Sequence, residues 1–134
     1  FLTSIGVADV GREVVVSQGV AGLVAHRART TPVSAADDER RRELRAVALG
    51  SYAAASPRGL ALDAWRVVQA SGAVAEVGAC RAGSPGHQTP EEQRRAAWWG
   101  ADAATGEPRR RPPAPRWLLA RFDAALPELL APVR

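Results

Sequence analysis

Alanine supplies much of the apolar content of this chain, and that restricts what its core can be. Only seven of the 134 residues are aromatic, although 46% are hydrophobic. A methyl group hides little surface, and burial contributes about 25 cal/mol per Å². An alanine-rich core therefore gives thin seams between helices whose backbones lie close together. The expected fold is all-α: an irregular bundle of four to five helices with an extended Arg/Pro-rich arm before the last one. The chain divides into a helical domain over 1–104, an extended linker over 105–116, and a C-terminal apolar helix over 117–134 with a proline kink.

Local signals place the helices. In 4–29, Val14, Val15 and Val16 have strand propensity, but Val10, Val14, Ser17, Ala21, Val24 and Ala25 recur at helical spacing. A helix is expected there, and the small row Ser17, Ala21, Ala25 offers close approach to another backbone. Its least polar stretch, Val14 to Ala25, spans 12 residues, too few for a membrane crossing. A second helix over 34–55 starts at Ser34 with Asp37, Asp38 and Glu39 at the positive end of its dipole. Asp37–Arg41 and Asp38–Arg42 have i, i+4 spacing, and Leu44, Val47, Ala48, Leu49 and Tyr52 form the buried side.

A third helix is expected over 60–81, with Trp65 as a core anchor and Glu76 partly buried beside an arginine. "TPEE" at 89–92 is a capping box: Thr89 caps, Pro90 takes the first helical position, and Glu92 closes the reciprocal bond. That helix reaches Ala104. It pairs Glu91 with Arg95, sets Arg95 within cation–π reach of Trp98 and Trp99, and buries one of these two tryptophans. After four prolines within 105–116, Trp117, Leu118, Leu119, Phe122, Leu126 and Leu129 lie on a final helix over 115–131, and Pro127 kinks or splits it.

Few features carry chemistry. Every basic residue is arginine, and lysine, asparagine and methionine are absent, a usage that fits a GC-rich gene. The formal net charge of +4 is compatible with RNA, an acidic protein or an anionic surface, and demands none of them. The single cysteine, Cys80, excludes an internal disulfide and a cysteine-cluster zinc site. His26 and His87 stand apart from other ligands. There is no phosphate loop, dinucleotide fingerprint, HExxH, GxSxG or calcium loop. No cofactor, metal or catalytic constellation is expected. The first residue, Phe1, suits a processed or partial chain, with either an organelle interior or the cytoplasm as its place.

What remains is a partner-binding reading. Arg94, Arg95 and Trp99, with Arg109, Arg110, Arg111, Arg116 and Trp117, form a candidate basic and aromatic surface. Phe122, Leu126 and Leu129 form the apolar docking face of the last helix, whose docking place is either this chain or a partner. Arg109, Pro112 and Pro115 match the R-x-x-P-x-x-P spacing of polyproline ligands, although a stiff spacer explains the same residues. The expected role is a non-catalytic accessory or scaffold subunit of a larger protein assembly, including an organellar complex. The alternative is a small nucleic-acid-binding protein of a GC-rich bacterium, in which arginines meet phosphates and tryptophans stack on bases.

Overall fold

The computed structural model describes residues 8–27, 35–79, 88–106 and 113–131, and every regular element among them is a helix. They are α1 (Ala8–Arg27), α2 (Ala35–Ala55), α3 (Ala64–Ala79), α4 (Pro90–Thr105) and α5 (Pro115–Leu130). The five pack as a bundle, as the alanine-rich pattern predicts. Among the described residues, no helix is long and apolar enough to cross a membrane.

The bundle is organised around α2, which touches each of the other four helices. The face that α4 turns inward consists of Ala96, Ala97, Gly100, Ala101 and Ala104. With no side chain larger than a methyl group there, the two backbones come almost into contact. A Cβ placed on Gly100 would lie 2.0 Å from the carbonyl oxygen of Ala48 and 3.0 Å from the amide nitrogen of Tyr52. The other side of α2 repeats the device: a Cβ on Gly50 would lie 2.7 Å from the Cα of Gln18 in α1.

Larger side chains pack beside these seams. Leu44, Val47, Val68, Phe122 and Leu126 form one cluster with the α4 alanines. Among the described residues Phe122 is the largest side chain fully removed from water, and its burial contributes about 1.5–3 kcal/mol. Thus α5 docks within this chain, on α2 and α4. Polar contacts set its angle. The buried Arg45 of α2 donates to both carboxylate oxygens of Asp123, at 2.8 and 2.7 Å. On the other flank, Gln18 Nε2 donates to Ser71 Oγ at 3.2 Å and ties α1 to α3.

Two boundaries differ from the sequence expectation. The third helix begins at Ala64, not at 60, because residues 56–63 close the end of α2 with turns. Leu60 N–H donates to Ala53 O and Leu62 N–H to Ala54 O, while Asp63 Oδ1 accepts from Arg66 N–H at 3.0 Å. Ala61 sits in this turn at φ 51°. At the other end of the chain, α5 continues through Pro127 to Leu130 and is not split by it. Pro115 opens that helix, so Pro115 and Arg116 are helical. Residues 107–112, most of the expected arm, lie outside the described residues, as do Ser34, Cys80, His87 and the side chains of His26, Asp37 and Asp38.

The glycine seam makes a signed prediction. Gly100→Ala should destabilise the fold by about 1–3 kcal/mol or more, because neither backbone can yield cheaply. Gly19→Ala, in α1 with nothing near its Cβ position, should stabilise by about 0.5–1 kcal/mol through helix propensity. Urea denaturation of both variants reads the two signs directly.

Candidate interaction surfaces

The outer side of α1 is apolar as well as the inner. Val14 and Ala21 point into the bundle, whereas Val16, Val20 and Leu23 are 63%, 57% and 66% exposed. Their i, i+4, i+7 spacing makes a straight stripe on one helix. Leu60, thrown outward by the turn after α2, adds to it. Between α1, α2 and the start of α5 lies a groove of about 400 Å³, with Val16, Val20, Leu49, Leu60 and Leu118 among its walls.

A second groove, of about 450 Å³, opens where α3, α4 and α5 meet. Its walls include Trp65 of α3 and Trp98 of α4. Their rings meet edge to face with centroids 6.3 Å apart and planes at 82°. Trp65 is therefore not a core anchor. Capping by Asp63 puts it in the first turn of α3, at the margin of the bundle, where it is 59% exposed. Trp98 is 51% exposed, while its neighbour Trp99 turns inward and packs edge to face on Phe122 at 5.2 Å. Val68 and Leu129 line the groove beside Trp99.

Arginines border this groove, but each has a carboxylate. Arg95 Nε donates to Glu91 at 3.2 Å, and its Nη1 donates to the carbonyls of Leu129 at 2.9 Å and Ala131 at 2.6 Å. It closes the C-terminal end of α5, where a cation is favoured by the dipole. That geometry replaces the expected stacking of Arg95 on Trp98 or Trp99. Arg94 Nη1 bonds Glu91 at 2.7 Å, and its Nη2 lies 4.0 Å from Glu76. Glu76 thus meets an arginine as expected, but on an exposed face, with 62% of its side chain in water. Elsewhere Arg40 of α2 pairs with Glu92 of α4, and Glu92 also completes the capping box with Thr89.

The structure therefore separates the sequence-selected residues. It brings Arg94, Arg95, Trp99 and Leu129 to one groove. Phe122 and Leu126 lie in the chain's own core, at 0% and 2% exposure, where no partner reaches them in the folded state. Arg116 and Trp117 lie at the exposed start of α5, and Arg121 lies over the Trp117 ring at 4.8 Å. Arg109, Arg110 and Arg111 lie outside the described residues. The Trp65–Trp98 pair, the Asp102 carboxylate beside it and the outer stripe of α1 did not emerge from the sequence. The stripe had a readable signal, since Val16, Val20 and Leu23 carry helical spacing of their own beside the Val14 and Ala21 row. The pairing of Trp65 with Trp98 had none, because it depends on where α3 begins.

Among the described residues no group of three side chains is placed to hold a metal ion. No family model, curated protein or solved structure matches the chain.

The two arginines of α4 should behave differently. Arg95→Gln should destabilise by about 1.5–3 kcal/mol, because it removes charged hydrogen bonds to the α5 terminus. Arg94→Gln, on an exposed pair, should change stability by less than about 1 kcal/mol. Thermal melts of the two variants check this.

Proposed function

We propose that the chain is a non-catalytic accessory subunit of a larger protein assembly, and that an amphipathic helix of another subunit docks along α1. The stripe of Val16, Val20 and Leu23 carries this reading. In a solitary chain it leaves apolar surface in water, and contiguous surface of that kind belongs to interfaces. A helical occupant suits the site for two reasons. The stripe follows one helix face, so a second helix can lie along it and set its own apolar row into the groove. Gly19 lies exposed within the stripe and has open space above it, which permits close backbone approach. Organellar and cytoplasmic assemblies are both compatible hosts.

A nucleic-acid-binding role is the second reading, and the run Arg109 to Arg111 favours it. Against it, Arg40, Arg45, Arg94 and Arg95 each meet a carboxylate of this chain, which reduces their pull on phosphate.

The test is size-exclusion with mass detection on native source material, paired with a photo-crosslinker at position 15, which is exposed beside the stripe and leaves Gly19 bare. The expected result is a large complex in which residue 15 crosslinks to a helix of one defined subunit. The double variant Val16→Glu/Val20→Glu, changed only at exposed positions, should keep its helical content and leave the complex. A wild-type chain that runs alone, or only as a dimer of itself, overturns the reading. A steep loss of RNA or DNA affinity with salt for that lone chain supports the second reading instead.

A further inference from the structure

We infer that the groove between Trp65 and Trp98 binds a cationic side chain, an arginine or lysine of a protein partner, with Asp102 as its counter-charge. Its residues are distinct from those of the α1 stripe, so it stands whether or not that stripe carries a partner.

The aromatic walls are the first argument. Indole faces attract cations, most strongly where water is partly excluded. Trp65 and Trp98 are each about half exposed and stand edge to face, so their mutual contact covers part of one ring and leaves indole surface open to water. Among the described residues the internal cation–π contact joins Arg121 to Trp117, and no cation of those residues stacks on Trp65 or Trp98. Val68, Trp99 and Leu129 supply apolar surface for the aliphatic stem of such a side chain.

The charges give the second argument, and they point the same way. The two groove arginines are turned to acids: Arg95 to Glu91 and the α5 carbonyls, Arg94 to Glu91 and Glu76. Asp102 is also part of the groove lining, one turn beyond Trp98. Among the described residues no group pairs with its carboxylate. Glu91 and, at 4.0 Å, Glu76 offset the two arginines, which leaves Asp102 as the unpaired charge of the lining and a counter-charge for a cation. A guanidinium stacks flat on an indole and can also bond a carboxylate through two N–H groups.

The position of Asp102 is the third argument. It lies in the last turn of α4, which contains no basic residue. The carbonyls there carry partial negative charge, and a carboxylate beside them is disfavoured. Helix stability does not favour an aspartate at this place, and a cation bound there would offset its repulsion from the carbonyls.

The experiment follows the indole N–H signals of uniformly labelled protein during titration with acetyl-Gly-Gly-Arg-Gly-Gly-amide. The same peptide with lysine, and with the neutral arginine isostere citrulline, serve as comparisons. Trp65→Phe and Trp98→Phe assign the signals. Saturable shifts of the Trp65 and Trp98 signals are expected with the arginine or lysine peptide, with Trp117 unmoved. Citrulline, and separately Asp102→Asn, should each weaken binding at least tenfold. Asp102→Asn should melt at the same temperature as wild type or higher, which separates lost binding from lost fold. Val16→Glu/Val20→Glu should bind the peptide as wild type does, so failure at α1 and failure here are distinguishable. The inference is overturned if neither cationic peptide gives a saturable shift, if citrulline binds equally well, or if Asp102→Asn binds unchanged. Shifts of the same two signals by a single-stranded oligonucleotide, but by neither peptide, also overturn it.

Discussion

The contact between the α4 backbone at Gly100 and the α2 backbone at Ala48 is the constraint on which the rest of the fold depends. Alanine methyl groups cannot fill an ordinary gap between helices. The core is therefore dense only if the helices approach until main chain meets main chain. Gly100 permits this on one side of α2 and Gly50 on the other. Beside the α2–α4 seam the ring of Phe122 is buried with the α4 alanines, and Trp99 packs against it. The fold thus balances many weak alanine contacts against a few positions that tolerate no enlargement.

How far the sequence revealed this depended on whether a signal was local. The capping box at Thr89 and Glu92 and the apolar rows of α2 and α5 are contained in a few consecutive residues, and the structure matches them. The start of α3 was not local in that sense. Leu60 has helical spacing with Ala64 and Val67, but residues 56–63 are drawn into turns by the free carbonyls at the end of α2. Trp65 moved from the expected core to the rim for the same reason. Arg95 illustrates a different limit: its helical neighbours Trp98 and Trp99 were visible, whereas the carbonyls of Leu129 and Ala131, more than thirty positions on, were not.

The interaction surfaces follow the same division. A count of arginines suggests a basic protein, yet geometry decides which charges act on the surroundings. At the α3–α4–α5 junction the guanidiniums serve to fasten helices to one another, and the exposed aromatic surface is left beside an acid. Apolar surface is likewise abundant in both α1 and α5, but α5 hides its row on α2 and α4 while α1 keeps a second row outward. Composition alone does not distinguish these two helices; their partners within the bundle do.

Glu92 links two events that are separate in most helical proteins. Its carboxylate accepts the Thr89 amide and so finishes the first turn of α4, and it also holds Arg40 on α2. Helix initiation and helix docking share one side chain. Fraying of the α4 start therefore loosens a tertiary tie, and separation of α2 from α4 weakens a cap. Such sharing merges what would be a low-energy local opening into the larger cooperative unit. On this geometry the first turn of α4 is expected to open with the α2–α4 interface rather than by the independent fraying usual at a helix end.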